Sequence, residues 1–336
     1  MQSASPISAF DFPNFSISAS APGSLMITGE HAVLHDRCAL VGAVDQRVQV
    51  TLSPRPDDVI AIHSALGERE MPRHEIDTSK PFNFLGAIFE KHREACPSGF
   101  DLTVTADFPA DVGLGSSAAV TVATLAAIST WLSGTFPNRD ELLNDAVAII
   151  RDVQGRGSGS NAAAAVYGGI LLYEATPKVI TRYPPSPISQ FRISTFPTPP
   201  IALVYAGYKT TTPEVIRIVE RQRAQSEDGY ESLFNQIDAN SRSASEALQS
   251  QDWTALGQAL SAGQKLMEQL GVCDEPLADI VSTMNTMPNI LGAKISGSGL
   301  GDCVLGIGTL SAVDWPYRAI PVRLSTEGVR LEEESP

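Results

Sequence analysis

The residues most able to do chemistry lie in the run 109–119, which reads Pro-Ala-Asp-Val-Gly-Leu-Gly-Ser-Ser-Ala-Ala. Gly113 and Gly115 carry no Cβ, so the backbone N–H groups around them can converge on an anion. Ser116 and Ser117 then open an alanine-rich, helix-forming segment, and a helix N-terminus carries about half a positive charge. A hydroxyl group there can cap the helix, contact a phosphate or bind Mg²⁺. The run therefore predicts either an ordinary capped turn or a phosphate-binding loop.

Two further glycine-serine segments adjoin predicted regular elements and favour the phosphate-binding interpretation. Residues 292–303 read Gly-Ala-Lys-Ile-Ser-Gly-Ser-Gly-Leu-Gly-Asp-Cys, and residues 155–161 read Gly-Arg-Gly-Ser-Gly-Ser-Asn. One such loop is usually only a turn, but three together indicate a polyphosphate site. None fits the G-x-x-x-x-G-K-[ST] pattern of the Walker-type loop or the G-x-G-x-x-G pattern of dinucleotide-binding folds. Phosphate is therefore expected to bind a different loop.

A fourth segment, residues 21–34, reads Ala-Pro-Gly-Ser-Leu-Met-Ile-Thr-Gly-Glu-His-Ala-Val-Leu. With the central Gly-Leu-Gly-Ser-Ser loop and the later Lys-Ile-Ser-Gly-Ser-Gly run, it resembles the GHMP small-molecule kinases, most closely the mevalonate kinase branch. The resemblance extends from about residue 20 to about residue 310. It implies an α+β fold of two domains, a ribosomal protein S5 domain 2-like N-terminal domain and a ferredoxin-like C-terminal domain, with ligands in the cleft between them.

The resemblance also implies roles in Mg²⁺-dependent phosphoryl transfer from ATP. Glu30 and His31 would face the acceptor, and Gly297 and Ser298 would support the phosphate loop and the substrate. Ser117 would lie close to Mg²⁺. The residues implied to wrap the ATP phosphates are Gly113, Leu114, Gly115, Ser116, Ser117 and Ala118.

Two of these implied roles have structural alternatives. Lys209 and Thr211 lie where the family places substrate-contacting residues after a strand, but Thr212-Pro213 is also an ordinary helix start. An isolated histidine is most often a core or surface imidazole. The position of His31 within Gly-Glu-His-Ala-Val-Leu favours the acceptor role instead.

The sequence departs from the mevalonate kinase pattern where that family places charge. Ser24 replaces the lysine that normally follows Ala-Pro-Gly and helps to activate the acceptor hydroxyl group. Asn161 replaces the aspartate proposed as base, and an amide cannot take a proton at neutral pH. The usual metal-binding glutamate aligns with Ile150, and Asp152 is the nearest carboxylate. Ser24 and Asn161 therefore occupy the catalytic positions, and Ser117 and Asp152 are the candidate metal ligands.

Three functions fit this combination. The first is an active mevalonate-type kinase of isoprenoid precursor synthesis, in which Asn161 only orients the hydroxyl group; the missing base is typically worth about 10²–10⁴-fold in rate. The second is a kinase for phosphomevalonate or for the 3-hydroxyl group of mevalonate, with Arg156 or Lys209 as an additional basic anchor. The third is a catalytically weakened or mutated nucleotide- or metabolite-binding protein.

Composition is consistent with a compact two-domain enzyme. The chain has 336 residues, of which 43% are hydrophobic, and a net charge of −14, which argues against nucleic-acid and anionic-membrane partners. The four cysteines form no C-x-x-C pair, so neither a zinc site nor a disulfide framework is indicated. Residues 1–20 contain no basic or long apolar run, and we expect a cytoplasmic monomer or homodimer.

Hydrophobic periodicity predicts alternating strands and helices in the first half and a helical block in the second. A proline-rich stretch at 175–200 predicts the crossover between domains 1–185 and 186–336. The predicted strands cover 46–52, 59–64, 100–106, 169–173, 201–205, 293–296, 302–307 and 319–325. The predicted helices cover 81–94, 116 to about 132, 140–153, 213–224, 230–249, 253–270 and 276–284.

Overall fold

The computed structural model describes residues 16–109, 112–175, 178–183, 198–312 and 314–333. Its strands are β1 (Ile17–Thr28), β2 (Ala39–Pro54), β3 (Val59–Ser64), β4 (Gly67–Pro72), β5 (Phe100–Ala106), β6 (Ile170–Ala175), β7 (Lys178–Tyr183), β8 (Ile201–Lys209), β9 (Ile290–Ser296), β10 (Gly301–Gly308), β11 (Arg318–Ile320) and β12 (Arg330–Leu331). Its helices are α1 (Asn83–His92), α2 (Ser116–Ser133), α3 (Arg139–Gln154), α4 (Ser160–Tyr167), α5 (Thr212–Arg223), α6 (Glu227–Gln249), α7 (Trp253–Gln269) and α8 (Glu275–Asn285).

The N-terminal half is built on an eight-stranded sheet with the order β12-β1-β2-β5-β3-β4 and with β6 and β7 attached through β2. Strand β2 is long enough to pair with β5 at one end and with β6 at the other. Helices α2 and α4 pack on β1 and β2, and the first core cluster lies between these layers. This arrangement places the N-termini of α2 and α4 beside the same strand.

Helix α2 has the length and apolar composition of a membrane span, but most of it is buried inside this domain. Alanines on its inner face allow close approach to the sheet, and all but its ends are packed against the strands and against α1, α3 and α4. It is the core helix of the first domain, and its N-terminus opens toward the C-terminal half.

The second sheet has four antiparallel strands in the order β11-β8-β10-β9, with α5 to α8 connecting β8 to β9. In chain order these strands are arranged 4-1-3-2, as the predicted ferredoxin-like domain requires. Every residue of β10 is buried, because Val304 faces the second core cluster while Cys303 and Leu305 face the first. The two domains therefore share apolar packing through this sheet.

The predicted α+β fold is confirmed, and each predicted helix begins within three residues of its observed start. The segments that the sequence did not predict as regular elements are β1, β4, β7, α4 and β12. β1 was not predicted because a glycine and a proline are unfavourable inside a strand. It is nevertheless an inner strand of the sheet, between β12 and β2. The last predicted strand, 319–325, is only Arg318–Ile320.

The C-terminal end of the chain returns to the first sheet. Leu331 of β12 pairs with Ala19, and Val329 belongs to the first core cluster. Assigning all of 186–336 to the C-terminal domain therefore misplaces this tail, which is too short for periodicity to reveal. The predicted 185/186 boundary and most of the proline-rich crossover lie outside the described residues.

Candidate functional site

A cavity of about 840 Å³ lies where the two domains meet. Its walls come from the end of β1, the N-termini of α2 and α4, the glycine loop between β9 and β10, and one face of α5. All three glycine-serine segments and the 21–34 segment contribute to it. The predicted site residues that line it are Ser24, Glu30, His31, Gly113, Gly115, Ser116, Ser117, Ala118, Asn161, Lys209, Gly297 and Ser298.

The loop before α2 has the geometry of an anion cradle. Gly115 is the N-cap residue, with a φ of 64° that favours glycine, and α2 begins at Ser116. A Cβ on Gly115 would collide with Ser24 Oγ, so the glycine also permits β1 to approach the loop closely. The first-turn amides of a helix lack intrahelical partners and carry its positive dipole end. This corner of the cavity is therefore suited to phosphate oxygens.

The glycine loop of the second domain is fixed to the first domain by a buried ion pair. The Lys294 ammonium contacts the Glu30 carboxylate, and their side chains are 1% and 3% exposed. Lys294 also donates to the Ile295 carbonyl, and Ser296 Oγ donates to the Met26 carbonyl at 2.8 Å. Burial lowers the pKa of Lys294, whereas the Glu30 charge acts in the opposite direction. The pair aligns β9 with the end of β1.

His31 makes a second connection between these segments. Its Nε2 lies 2.9 Å from the Ser298 carbonyl oxygen. A carbonyl oxygen only accepts, so Nε2 must carry the hydrogen and Nδ1 is left as an acceptor. Burial lowers the pKa of His31, which favours this neutral form. The histidine therefore lines the cavity while one of its nitrogens holds the glycine loop.

Asn161 and Ser24 both lie on the cavity wall, as their positions in the motifs predicted. Asn161 is in the first turn of α4, after Gly159 with its φ of 93°, and Ser24 is on β1. The Asn161 Oδ1 and Ser24 Oγ atoms are buried and have no hydrogen-bond partner among the described residues. Buried polar atoms are nearly always satisfied in folded proteins. A ligand that donates hydrogen bonds would complete both groups.

The cavity contains a carboxylate that the sequence analysis did not single out. Asp302 lies at the start of β10 with its side chain 5% exposed, and its Oδ2 is 3.0 Å from Lys209 Nζ. Its Oδ1 is also buried without a partner in the described part of the chain. The sequence predicts Asp302 only as the first residue of the strand 302–307. A single aspartate after a glycine loop matches no motif spacing that would indicate a catalytic role.

Helix α5 lines the opposite wall and contributes positive charge. Its inward face carries Arg217, Glu220 and Arg221, and Arg156 lies across from it. Glu220 pairs with Arg156 at 3.3 Å and with His35 at 3.0 Å. Within the described ranges, neither Arg217 nor Arg221 has a carboxylate partner under 4 Å. The chain's net charge is −14, so this wall is a local positive exception suited to an anionic ligand.

Three predicted residues are not at the cavity surface. Leu114 is fully buried, and its amide donates to the Val112 carbonyl rather than facing a ligand. Thr211 is the N-cap of α5, and its neighbour Thr212 lines the wall instead. Asp152 is exposed on α3 and is absent from the lining, because the helix turns it outward. The placement of Asp152 therefore does not support the predicted metal role, and no cluster of three metal-binding side chains occurs in the described ranges.

Comparison with known proteins places these features in a family. Residues 83–169 match the model of the GHMP kinases N terminal domain, and residues 244–314 match that of the GHMP kinases C terminal domain. The mevalonate kinase of Archaeoglobus fulgidus is 30% identical over 319 residues, which cover 94% of this chain and 99% of the relative. The chain belongs to the GHMP kinase family. The predicted resemblance to this family is thereby confirmed.

Solved structures of other GHMP kinases share this fold. The mevalonate kinase of Methanococcus jannaschii superposes with a TM-score of 0.74 at 21% identity and covers 94% of this chain and 99% of its own. The phosphomevalonate kinase of Streptococcus pneumoniae, solved with phosphomevalonate and AMPPNP, has a TM-score of 0.70 at 15% identity and covers 89% and 93%. At these identities the likeness establishes the fold alone.

The glycine cradle can be tested with Gly115→Ala. A side chain there adopts a disfavoured left-handed conformation and collides with Ser24, so the loop must shift away from bound phosphates. We expect nucleotide affinity, measured by calorimetry, to fall at least about tenfold, as expected when phosphate-binding amides move.

The matched control is Gly134→Ala at the other end of the same helix. Gly134 has a φ of 73° and nothing within 4 Å of an added Cβ, so it has the same backbone penalty without the collision. The control should lose only the thermal stability that the backbone penalty costs and should keep its nucleotide affinity. Equal loss of nucleotide affinity in both variants would contradict the cradle.

The lowered pKa of His31 predicts that the folded protein loses stability in acid. Its pKa lies below the ordinary 6.5, because burial and His35 outweigh the Ser298 hydrogen bond and the charges of Glu30 and Glu220. The unfolded chain therefore takes up a proton that the folded chain excludes, so stability present above pH 6.5 declines as the pH falls below it. We expect His31→Asn, which tolerates the left-handed backbone, to unfold in urea with a weaker dependence on pH between about 7 and 5. The exposed control His74→Asn should keep the wild-type slope; an unchanged slope in His31→Asn would contradict the prediction.

Proposed function

We propose that this GHMP kinase transfers the γ-phosphoryl group of Mg-ATP to a hydroxyl group of a small anionic acceptor, mevalonate or a close relative. The observation that carries the proposal is the meeting, in one cavity, of a glycine loop at a helix N-terminus, a positive wall and buried polar atoms that have no partner among the described residues. Phosphoryl transfer depends mainly on positioning and on charge neutralisation. These are the properties that the cavity walls offer.

The nucleotide half of the cavity is proposed to be the loop at the head of α2. The amides of Gly115 and Ser116 would bind phosphate oxygens, and Ser117 would contribute a hydroxyl ligand to Mg²⁺. Gly113 and Ala118 would only line the loop, because the Ala118 amide already donates to the Gly115 carbonyl at 3.0 Å and the Gly113 backbone is hydrogen-bonded to Cys303. Mg²⁺ commonly uses few protein ligands and completes its shell with phosphate oxygens and water. The single hydroxyl at Ser117 is compatible with that habit, and the metal when bound would neutralise phosphate charge.

The acceptor half is proposed to lie between Asn161 and the arginines of α5. A guanidinium group has five N–H donors, suited to a carboxylate or phosphate group. Arg217 uses its Nε donor on the Pro213 carbonyl at 3.3 Å, so its terminal N–H groups and those of Arg221 would bind the acceptor. The relative from Archaeoglobus fulgidus is named mevalonate kinase, which supports a mevalonate-type acceptor. Location in the cytoplasm, as a monomer or homodimer, completes the proposal.

A phosphorylated acceptor, as in a phosphomevalonate kinase, is the second candidate. The observation that favours it is that two arginines, Arg217 and Arg221, have no carboxylate partner in the described part of the chain, with Arg156 nearby. A phosphate carries more charge than a carboxylate and would engage more of these donors.

The test is to incubate the purified protein with Mg-ATP and, in turn, mevalonate, 5-phosphomevalonate and homoserine. ADP release and the phosphorylated position are followed, the latter by phosphorus NMR. Turnover of mevalonate supports the first candidate, and preference for 5-phosphomevalonate supports the second. Nucleotide binding without transfer to any acceptor would contradict both and favour the binding-protein alternative.

The arginine wall predicts a selective effect on the acceptor. We expect Arg217→Gln and Arg221→Gln each to raise the acceptor KM about tenfold or more, equivalent to a lost charged hydrogen bond, with the ATP KM changed less than about threefold. The control is Arg93→Gln, whose ion pair is with Glu90 on the remote helix α1. A parallel rise in both KM values would show that the wall is not specific to the acceptor.

A further inference from the structure

Asp302 has an unusual backbone conformation at the edge of the cavity. Its φ is 77°, and the pairing register between β10 and β8 shifts between Gly301 and Cys303, on either side of it. Left-handed residues other than glycine are uncommon, and they persist where the surrounding structure holds them. Irregular strand pairing re-aims a side chain, often beside an active site. Here the residue with the irregular backbone lines the cavity.

The carboxylate lies between the glycine loops of the two domains. A Cβ on Gly113, in the phosphate loop, would overlap the Asp302 carboxylate, and a Cβ on Gly297 would lie 3.4 Å from Oδ2. Asp302 thus touches the backbone of both loops. Any phosphoryl donor on the Gly113 loop would have this carboxylate as an immediate neighbour.

The two oxygens of Asp302 have different surroundings. Oδ2 is neutralised by Lys209 at 3.0 Å, while Oδ1 is buried and has no partner in the described part of the chain. The other titratable neighbour is Cys303, whose thiol stays protonated because burial raises its pKa well above the ordinary value. The Cys303 thiol is hydrogen-bonded to the Asp302 carboxylate, and Oδ1 is the carboxylate oxygen left without a donor among the described residues.

We propose that Asp302, held by Lys209, accepts the proton of the acceptor hydroxyl group, in the place of the charges that Ser24 and Asn161 do not supply. This inference rests on the proposed function. The O–H bond breaks as its electron pair forms the new O–P bond to the γ-phosphorus. The P–O bond to the β-phosphate breaks in the same transfer, its electrons leave with ADP, and the proton passes from Asp302 to solvent.

Lys209 favours a proton-accepting role for Asp302 over a metal-binding role. A divalent cation on Oδ1 would share the small carboxylate with the Lys209 ammonium, and the two positive charges would repel each other in a poorly hydrated site. A hydroxyl group has no such conflict, and the ammonium would stabilise the negative charge that develops on its oxygen. The geometry therefore favours proton acceptance.

The test compares Asp302→Asn with the double variant Asp302→Asn, Asn161→Asp, on the acceptor that the wild type uses. We expect the single variant to lower kcat about 10²–10⁴-fold and to lose the acidic limb of the pH–rate profile. Calorimetric ATP affinity should change less than about threefold, since the amides that bind phosphate remain. Moving the carboxylate to position 161 should recover at least about tenfold in kcat together with the acidic limb.

Two controls keep the result interpretable. Asp302→Gly removes the carboxylate and suits the left-handed backbone, so it reports on activity if Asp302→Asn folds poorly. Asp145→Asn disrupts another lysine–aspartate pair, at 2.6 Å from Lys91 and remote from the cavity, and should leave kcat unchanged.

Several outcomes would overturn the inference. One is a kcat for Asp302→Asn and Asp302→Gly within about threefold of wild type, because general-base loss is expected to exceed that. Another is restoration of Asp302→Asn by excess Mg²⁺ but not by Asn161→Asp, which would identify a metal ligand. If the wild type transfers phosphate to no acceptor, the proposed function fails first and the inference fails with it.

Discussion

The buried ion pair between Glu30 and Lys294 is the constraint on which the cavity depends. Removing ions from water is unfavourable, and losing one member of a buried pair typically costs about 3–5 kcal/mol. The pair joins the end of β1 to β9, directly before the loop that carries Ser298 and leads to Asp302. Once it forms, the His31 contact with Ser298 is within reach, and the β9–β10 turn lies against the phosphate loop. The walls of the site are thereby assembled from both domains at a fixed separation.

The same region stores conformational strain. The residues other than glycine with positive φ include His31, Leu300 and Asp302, with values of 59°, 53° and 77°, and all three belong to segments that form the cavity. Such conformations cost about 1–3 kcal/mol each unless the surroundings compensate. Each of the three has a compensating contact: His31 bonds to the Ser298 carbonyl, the Leu300 amide donates to the Val272 carbonyl, and Asp302 pairs with Lys209. The strained backbone lowers the stability of the folded chain, and in return the glycine loop between β9 and β10 is held at the cavity.

The sequence predicted the helices, most strands and the glycine cradle, because each has a local signal: apolar periodicity, a glycine turn or a helix start. It did not predict β1, whose proline and glycine are typical of a loop, although β1 pairs with a strand on each side. The role of Asp302 was also missed, since its meaning comes from Gly113 and Lys209, which are remote in sequence. Asp152 is the predicted metal ligand because it is the carboxylate nearest in sequence to Ile150. Helix α3, however, turns its side chain to solvent.

Charge in this protein is organised locally rather than globally. The net charge is −14, yet two arginines that have no carboxylate partner among the described residues face the cavity, and Lys209 neutralises Asp302. Ser24 and Asn161, the two positions predicted to be catalytic, lie on the first domain, whereas Lys209 and Asp302 belong to the second. Phosphoryl transfer depends on where charged groups lie around the reacting atoms and not on which strand carries them. Lys209 and Asp302 lie on β8 and β10 of the second domain. Their distance from the Gly113 loop of the first domain is therefore set by the packing between the two domains. The Glu30–Lys294 ion pair holds the two domains together, and the strained turn between β9 and β10 carries Asp302. Both therefore determine where the Asp302 carboxylate lies in the cavity.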